Sequence, residues 1–113
     1  MSISQITTHV LDAMTGRPAE GVPVELLARE GGQWTLVGAG ATDADGRAKQ
    51  LGPSSVAPGE YRLRFGTGAY FAARGTETFF PEVLLSFLVA EEGRHYHVPL
   101  LLSPFAYSTY RGS

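Results

Sequence analysis

Chain-breaking residues set the first constraint. Fourteen glycines and seven prolines are scattered through 113 residues, too many interruptions for a helical bundle and well suited to short strands joined by tight turns. Between the interruptions apolar residues alternate. Residues 22–29 set Val22, Val24 and Leu26 against Pro23, Glu25 and Leu27, and residues 60–65 set Tyr61, Leu63 and Phe65 against Arg62 and Arg64. A period of two is that of a strand with one face turned inward. Further strands are expected over 8–12, 34–41, 81–90, 94–103 and 106–110, with turns at 15–18, Gly31-Gly32, 43–46 and 91–93. One short helix is expected over 67–74, capped by Thr67 and closed by Gly75. Seven or eight strands at roughly 8–12-residue spacing make an all-β sandwich, and the length suits one domain over residues 1–113.

Composition narrows the function. Hydrophobic residues at 43% and charged residues at 18% suit a folded core rather than a disordered chain. Nine basic residues, eight of them Arg, face eleven acidic ones for a net charge of −2. That balance excludes nucleic-acid binding by bulk charge and leaves no polybasic membrane patch. The absence of Cys removes disulfides, thiolate chemistry and cysteine-ligated zinc together. No apolar run approaches the ~20 residues that a membrane helix needs. The N-terminus, Met1-Ser2-Ile3-Ser4-Gln5, shows no signal-peptide pattern, so a cytoplasmic protein is expected.

Two strands carry more apolar surface than a sandwich monomer can hide. Residues 83–89 place Val83, Leu85, Phe87 and Val89 on one face and Leu84, Ser86 and Leu88 on the other. Residues 96–102 place Tyr96, Val98, Leu100 and Leu102 on one face and His97, Pro99 and Leu101 on the other. An antiparallel strand ordinarily wets one face. A covering helix is one answer, but a helix of two turns is too small for both strands, and subunit association is the better one.

Chemistry is concentrated in few residues. The three histidines are His9, His95 and His97, and the last two sit about 6.5–7 Å apart at Cα on one strand face. With His9 they could form a three-histidine zinc site, or each could be a hydrogen-bonded or surface side chain. Asp43-Ala44-Asp45-Gly46 opens like a calcium loop, but the twelfth position falls on Ser54 and supplies no acid. Gly66-Thr67-Gly68 continues to Phe71 where a dinucleotide loop requires glycine. No serine sits in a nucleophile-elbow pattern. Arg47, read alone, is a solvated turn residue.

Three segments taken together resemble the 5-hydroxyisourate hydrolase branch of the transthyretin-like family. They are Thr8-His9-Val10-Leu11-Asp12 with Gly16-Arg17-Pro18-Ala19 and Gly21-Val22-Pro23-Val24; Thr42-Asp43-Ala44-Asp45-Gly46-Arg47; and the run from His95-Tyr96-His97-Val98-Pro99 through Tyr107-Ser108-Thr109-Tyr110-Arg111-Gly112-Ser113. Tyr70-Phe71 and Thr78-Phe79-Phe80-Pro81-Glu82 are similar to the family's helix and the strand entry after it. Hormone-carrying transthyretins lack both histidines of the third segment and its Tyr-Arg-Gly-Ser end. One departure is Gly66 after Phe65, where family members often carry an acid; it touches a loop.

The resemblance implies an eight-stranded sandwich assembled as a homotetramer, with sites at the dimer–dimer interface. It implies hydrolysis of 5-hydroxyisourate to 2-oxo-4-hydroxy-4-carboxy-5-ureidoimidazoline in urate breakdown, with no cofactor and no metal. By the same resemblance His9, Arg47 and His97 are catalytic, Tyr110 and Ser113 contact the substrate, and His95 has no catalytic role. Strand alternation adds a test: if the first, long and last strands share a sheet, His9, His97 and Tyr110 fall on one face. Gly112 is expected to let the chain turn back toward that face, with Arg111 on the opposite side pairing with an acid. Two other readings stand beside the hydrolase: a carrier of a small aromatic ligand, and a structural sandwich module with incidental histidines.

Overall fold

The computed structural model describes residues 3–113. It contains β1 (Ile6–Asp12), β2 (Arg17–Pro18), β3 (Pro23–Glu30), β4 (Gln33–Ala41), β5 (Arg47–Ala48), β6 (Gly59–Phe65), α1 (Thr67–Ala72), β7 (Val83–Val89), β8 (Tyr96–Ser103) and β9 (Ala106–Thr109). They form two facing sheets, one ordered β4-β3-β6-β7 and the other β2-β1-β8-β9 with β5 also paired to β1. All seven expected strands are present. The strand count passes eight because β2 and β5, two residues each, lie in segments whose turn residues mask so short a pairing in the sequence.

Alternation translates directly into the core. Tyr61, Leu63 and Phe65 of β6 and Val24 and Leu26 of β3 are buried, as are Ile6 and Val10 of β1 and Leu100 and Leu102 of β8. Gly31 and Gly32 join β3 to β4 with φ of 57° and 81°, the doubly left-handed backbone of a two-residue hairpin turn that glycine adopts without strain. On β7, Val83, Leu85 and Val89 face inward while Leu84 and Leu88 stay exposed. On β7 the second apolar face read from the sequence is therefore uncovered among the described residues, whereas on β8 Pro99 is buried and His97 and Leu101 are half-buried.

Helix α1 departs from expectation at its start. Gly66, not Thr67, is the N-cap, and no side chain caps the helix; the Thr67 hydroxyl is buried and donates instead to the Phe80 carbonyl at 2.8 Å. Its exit follows expectation. Gly75 has φ +63°, and Gly75 N–H and Thr76 N–H donate to the carbonyls of Ala72 and Phe71, a Schellman closure. The helix is pinned to the end of β1 by Asp12. One carboxylate oxygen of this buried residue accepts from the Met14 and Thr15 amides, and the other accepts from the Tyr70 hydroxyl at 2.7 Å. Among the described residues no helix is long and apolar enough to cross a membrane.

Candidate active site

The site is built on the outer face of the β1–β8–β9 sheet. Strands β1 and β8 run parallel, with Thr7 opposite His97 and His9 opposite Pro99. Strand β9 returns antiparallel with Ser108 opposite Leu101. Thr7, His9, His97, Pro99 and Ser108 therefore share the face that is turned away from the core, as alternation predicts for His9 and His97; Tyr110 lies just beyond the end of β9.

Arg47 reaches the same face through β5, where it lies opposite His9. The preceding turn holds it there. The Asp43 carboxylate accepts from the Asp45 and Arg47 amides at 2.9 and 3.0 Å, and the Arg47 amide bond is the leading reason that its acidity is strengthened beyond the usual carboxylate range. Gly46 has φ +76°, and a Cβ there would lie 2.4 Å from the Val10 carbonyl oxygen. The Asp-Ala-Asp-Gly sequence is thus a turn that delivers Arg47 beside β1.

A cleft of about 210 Å³ opens where these elements meet, lined by Thr7, Arg47, Lys49, His95, His97 and Ser113, with Ile3 at its edge. At its centre lies one hydroxyl. Thr7, 4% exposed, holds His95 Nε2 and His97 Nδ1 each at 2.8 Å from Oγ1, and the two rings stack with centroids 6.2 Å apart. Burial first, then the charges of Arg47, His95 and His9, lower the pKa of His97 from the ordinary 6.5; its imidazole is neutral at pH 7. Among the described residues no Asp or Glu side chain lines the cleft, while Arg47 and Lys49 do, which suits an anionic or carbonyl-rich ligand.

The chain end closes the cleft. The Gly112 amide donates to the His97 carbonyl at 2.9 Å in an antiparallel bridge, and a Cβ on Gly112 would come 2.7 Å from His97 Cδ2. Gly112 is absent from the residues with positive φ. It serves close approach to the ring rather than the sharp turn expected of it. Arg111 makes no ion pair among the described residues; its guanidinium lies 4.9 Å over the Tyr96 ring.

Of the residues singled out in sequence, His97, Arg47 and Ser113 line one cleft, with His9 beside Arg47 on the same sheet face. Tyr110 lines a neighbouring groove of about 440 Å³ that runs past His97 toward Leu84 and Leu88 of β7. Thr7, Lys49 and the contact made by His95 were not singled out. Thr7 reads as an ordinary β-branched strand residue, because its partner is set by parallel register with a strand 90 positions away. Lys49, the only lysine in the chain, carried a compositional signal.

The HIUase/Transthyretin family model matches residues 6–112. A 5-hydroxyisourate hydrolase of Salmonella dublin is 50% identical over 109 residues, covering 96% of this chain and 80% of that protein. The solved 5-hydroxyisourate hydrolase of Klebsiella pneumoniae superposes with TM-score 0.85 at 41% identity over the full length of both chains. Sea bream transthyretin, solved with thyroxine, superposes with TM-score 0.86 at 34% identity over 96% of this chain and 94% of that one. Backbone shape thus leaves enzyme and carrier equal, while the relative of highest identity among these is a hydrolase; the chain belongs to the HIUase/Transthyretin family.

Proposed function

We propose that this protein hydrolyses 5-hydroxyisourate, opening its cyclic amide in urate breakdown to give the ureidoimidazoline carboxylate. The observation that carries the reading is that His97, its pKa lowered by burial, and a permanently charged Arg47 line one cleft in a chain half identical to a named hydrolase. Amide hydrolysis needs an activated water, a stabilised oxyanion and a proton for the leaving nitrogen. His97 takes the proton of the attacking water. Arg47 presents a planar fork of donors to the carbonyl oxygen as negative charge grows on it. The tetrahedral adduct then collapses with cleavage of the ring C–N bond, and a histidine, His97 or His9, returns a proton to nitrogen. Ser113 lines the cleft and Tyr110 the adjoining groove, where each contacts the substrate. The steps balance without a cofactor or metal.

The assembly belongs to the same proposal. Leu84, Leu88, Phe79 and Phe105 are 41–74% exposed, and a homotetramer of these sandwiches in the cytoplasm buries such surface at its seams, with residues 1–113 acting as one domain. Excluding water at a seam over the cleft also strengthens the field of Arg47.

Ultraviolet spectroscopy of freshly generated 5-hydroxyisourate tests the activity. The protein is expected to accelerate loss of the substrate band well beyond the spontaneous rate, and prolonged chelation is expected to leave that rate unchanged. A rate equal to the protein-free control, with an aromatic ligand bound instead, would make the carrier the better reading.

A further inference from the structure

We propose that Thr7 is a positioning residue: with His95 it fixes the proton of His97 on Nδ1, leaving the Nε2 lone pair free as the base. The inference deepens the hydrolase reading and rests on it for its consequence, though not for its geometry.

A threonine hydroxyl carries one proton and two lone pairs. Bonded to two imidazole nitrogens at 2.8 Å, it can accept from one and donate to the other, and the direction of that chain decides the tautomer of both rings. If His97 Nδ1–H donates to Thr7 Oγ1, the Thr7 hydroxyl donates to His95 Nε2, and His95 keeps its own proton on Nδ1. His97 Nε2 is then unprotonated. The reverse direction leaves Nε2 protonated on a neutral ring, which can neither take a proton from water nor act as more than a feeble acid. Burial first, then the charge of Arg47, favours the neutral ring, and a neutral ring is useful as a base only in the first arrangement.

The rest of the geometry holds the ring in one orientation. Nδ1 is engaged by Thr7, and Gly112 packs so close to Cδ2 that even a methyl group would not fit. Among the described residues Nε2 makes no hydrogen bond, so it is the nitrogen left for chemistry. When Nε2 accepts the proton of water, charge spreads to Nδ1–H. Its bond to Oγ1 becomes charge-assisted and the relay to His95 strengthens, so the imidazolium is stabilised as it forms. No covalent bond other than that proton's is made or broken in the relay. His95 is exposed and acts through Thr7, not on the substrate.

The test combines ring nitrogen NMR with kinetics. In the intact protein at pH 7.5 the 15N shifts of His97 are expected to show the Nδ1–H tautomer; an Nε2–H tautomer overturns the proposal whatever the activity. Thr7→Val keeps shape and strand propensity while removing the hydroxyl. It is expected to mix the His97 tautomers and to lower kcat by about 10–100-fold with KM within a few-fold. Thr7→Ser is expected to restore both tautomer and kcat. His95→Ala is expected to cost less than Thr7→Val, since water can replace an exposed acceptor, and adding it to Thr7→Val is expected to cost nothing further. Additive losses, or Thr7→Val at the full rate with its tautomer unchanged, overturn the proposal. An intact protein inactive on 5-hydroxyisourate but with His97 as Nδ1–H would sink the hydrolase reading and leave the positioning geometry standing.

Discussion

The two outer faces of the sandwich use polar residues in opposite ways. On the β4-β3-β6-β7 sheet, Arg64 pairs with Glu25 at 3.5 Å and Glu82 at 3.1 Å, all with side chains roughly half exposed. Arg62 lies 4.0 Å over the Trp34 ring and donates to Ser86. These are long, flexible side chains held by contacts that solvent screens. On the β1–β8–β9 sheet a buried threonine hydroxyl holds two stacked imidazoles, beside an arginine whose backbone is fixed by its turn. On the second face, direction matters more than charge, and direction is what proton transfer requires.

The comparison is broken most severely on the second face. His9→Ala, Arg47→Ala and His97→Ala are each expected to lower kcat/KM for 5-hydroxyisourate by at least ~10²-fold, with circular dichroism unchanged. A variant folded and fully active without His97 would remove the distinction between the faces.

Removing residues 110–113 is expected to cost most of the activity, at least about tenfold, while the protein stays folded and oligomeric by sedimentation. Chain ends are ordinarily dispensable, but this one carries the Gly112 bridge to His97 and the Ser113 edge of the cleft. Near-full activity of a folded truncation would show the tail to be only an end.

The pH dependence sharpens the same contrast. Since His97 must be neutral to accept a proton and its pKa lies below 6.5, kcat/KM should be level above about pH 7.5. Further into acid it should fall, approaching about tenfold per unit. The linked stability has the same sign: a depressed histidine pKa contributes above 6.5, and that contribution is lost as pH drops through the folded value. An acid limb centred above 6.5 would place a different group in the base role.

On the first face the expected effect is nearly nil. Arg64→Ala removes both ion pairs, yet exposed pairs are worth about 0–1 kcal/mol, so the unfolding midpoint should shift little and turnover not at all. A loss comparable to that of Arg47→Ala would mean that the faces are energetically alike.

What could be read in advance follows this division. Alternation fixes which side chains of a strand face in and out, so the core of β6 was legible from spacing alone, and the shared face of His9 and His97 followed once their strands were placed in one sheet. Register between distant strands is not local, and so the Thr7 bridge could not be seen. Apart from the family resemblance Arg47 gave no sign that it lies beside His9, because a turn residue's direction depends on the carboxylate that accepts its amide. Gly112 was assigned the wrong reason: glycine permits both positive φ and close approach, and only the neighbouring ring tells them apart.

The parallel pairing of β1 with β8 has a consequence for biosynthesis. Thr7 and His97 come from strands separated by six others along the chain, so groups that meet in the cleft leave the ribosome 90 residues apart. Until β8 emerges, β1 lacks the neighbour that gives Thr7 its imidazoles, and a parallel strand pair of this separation closes slowly because so much chain entropy is lost first. The cleft therefore forms only once β8 has been made, and a nascent chain that has not reached it carries Thr7, His9 and Arg47 without their partners.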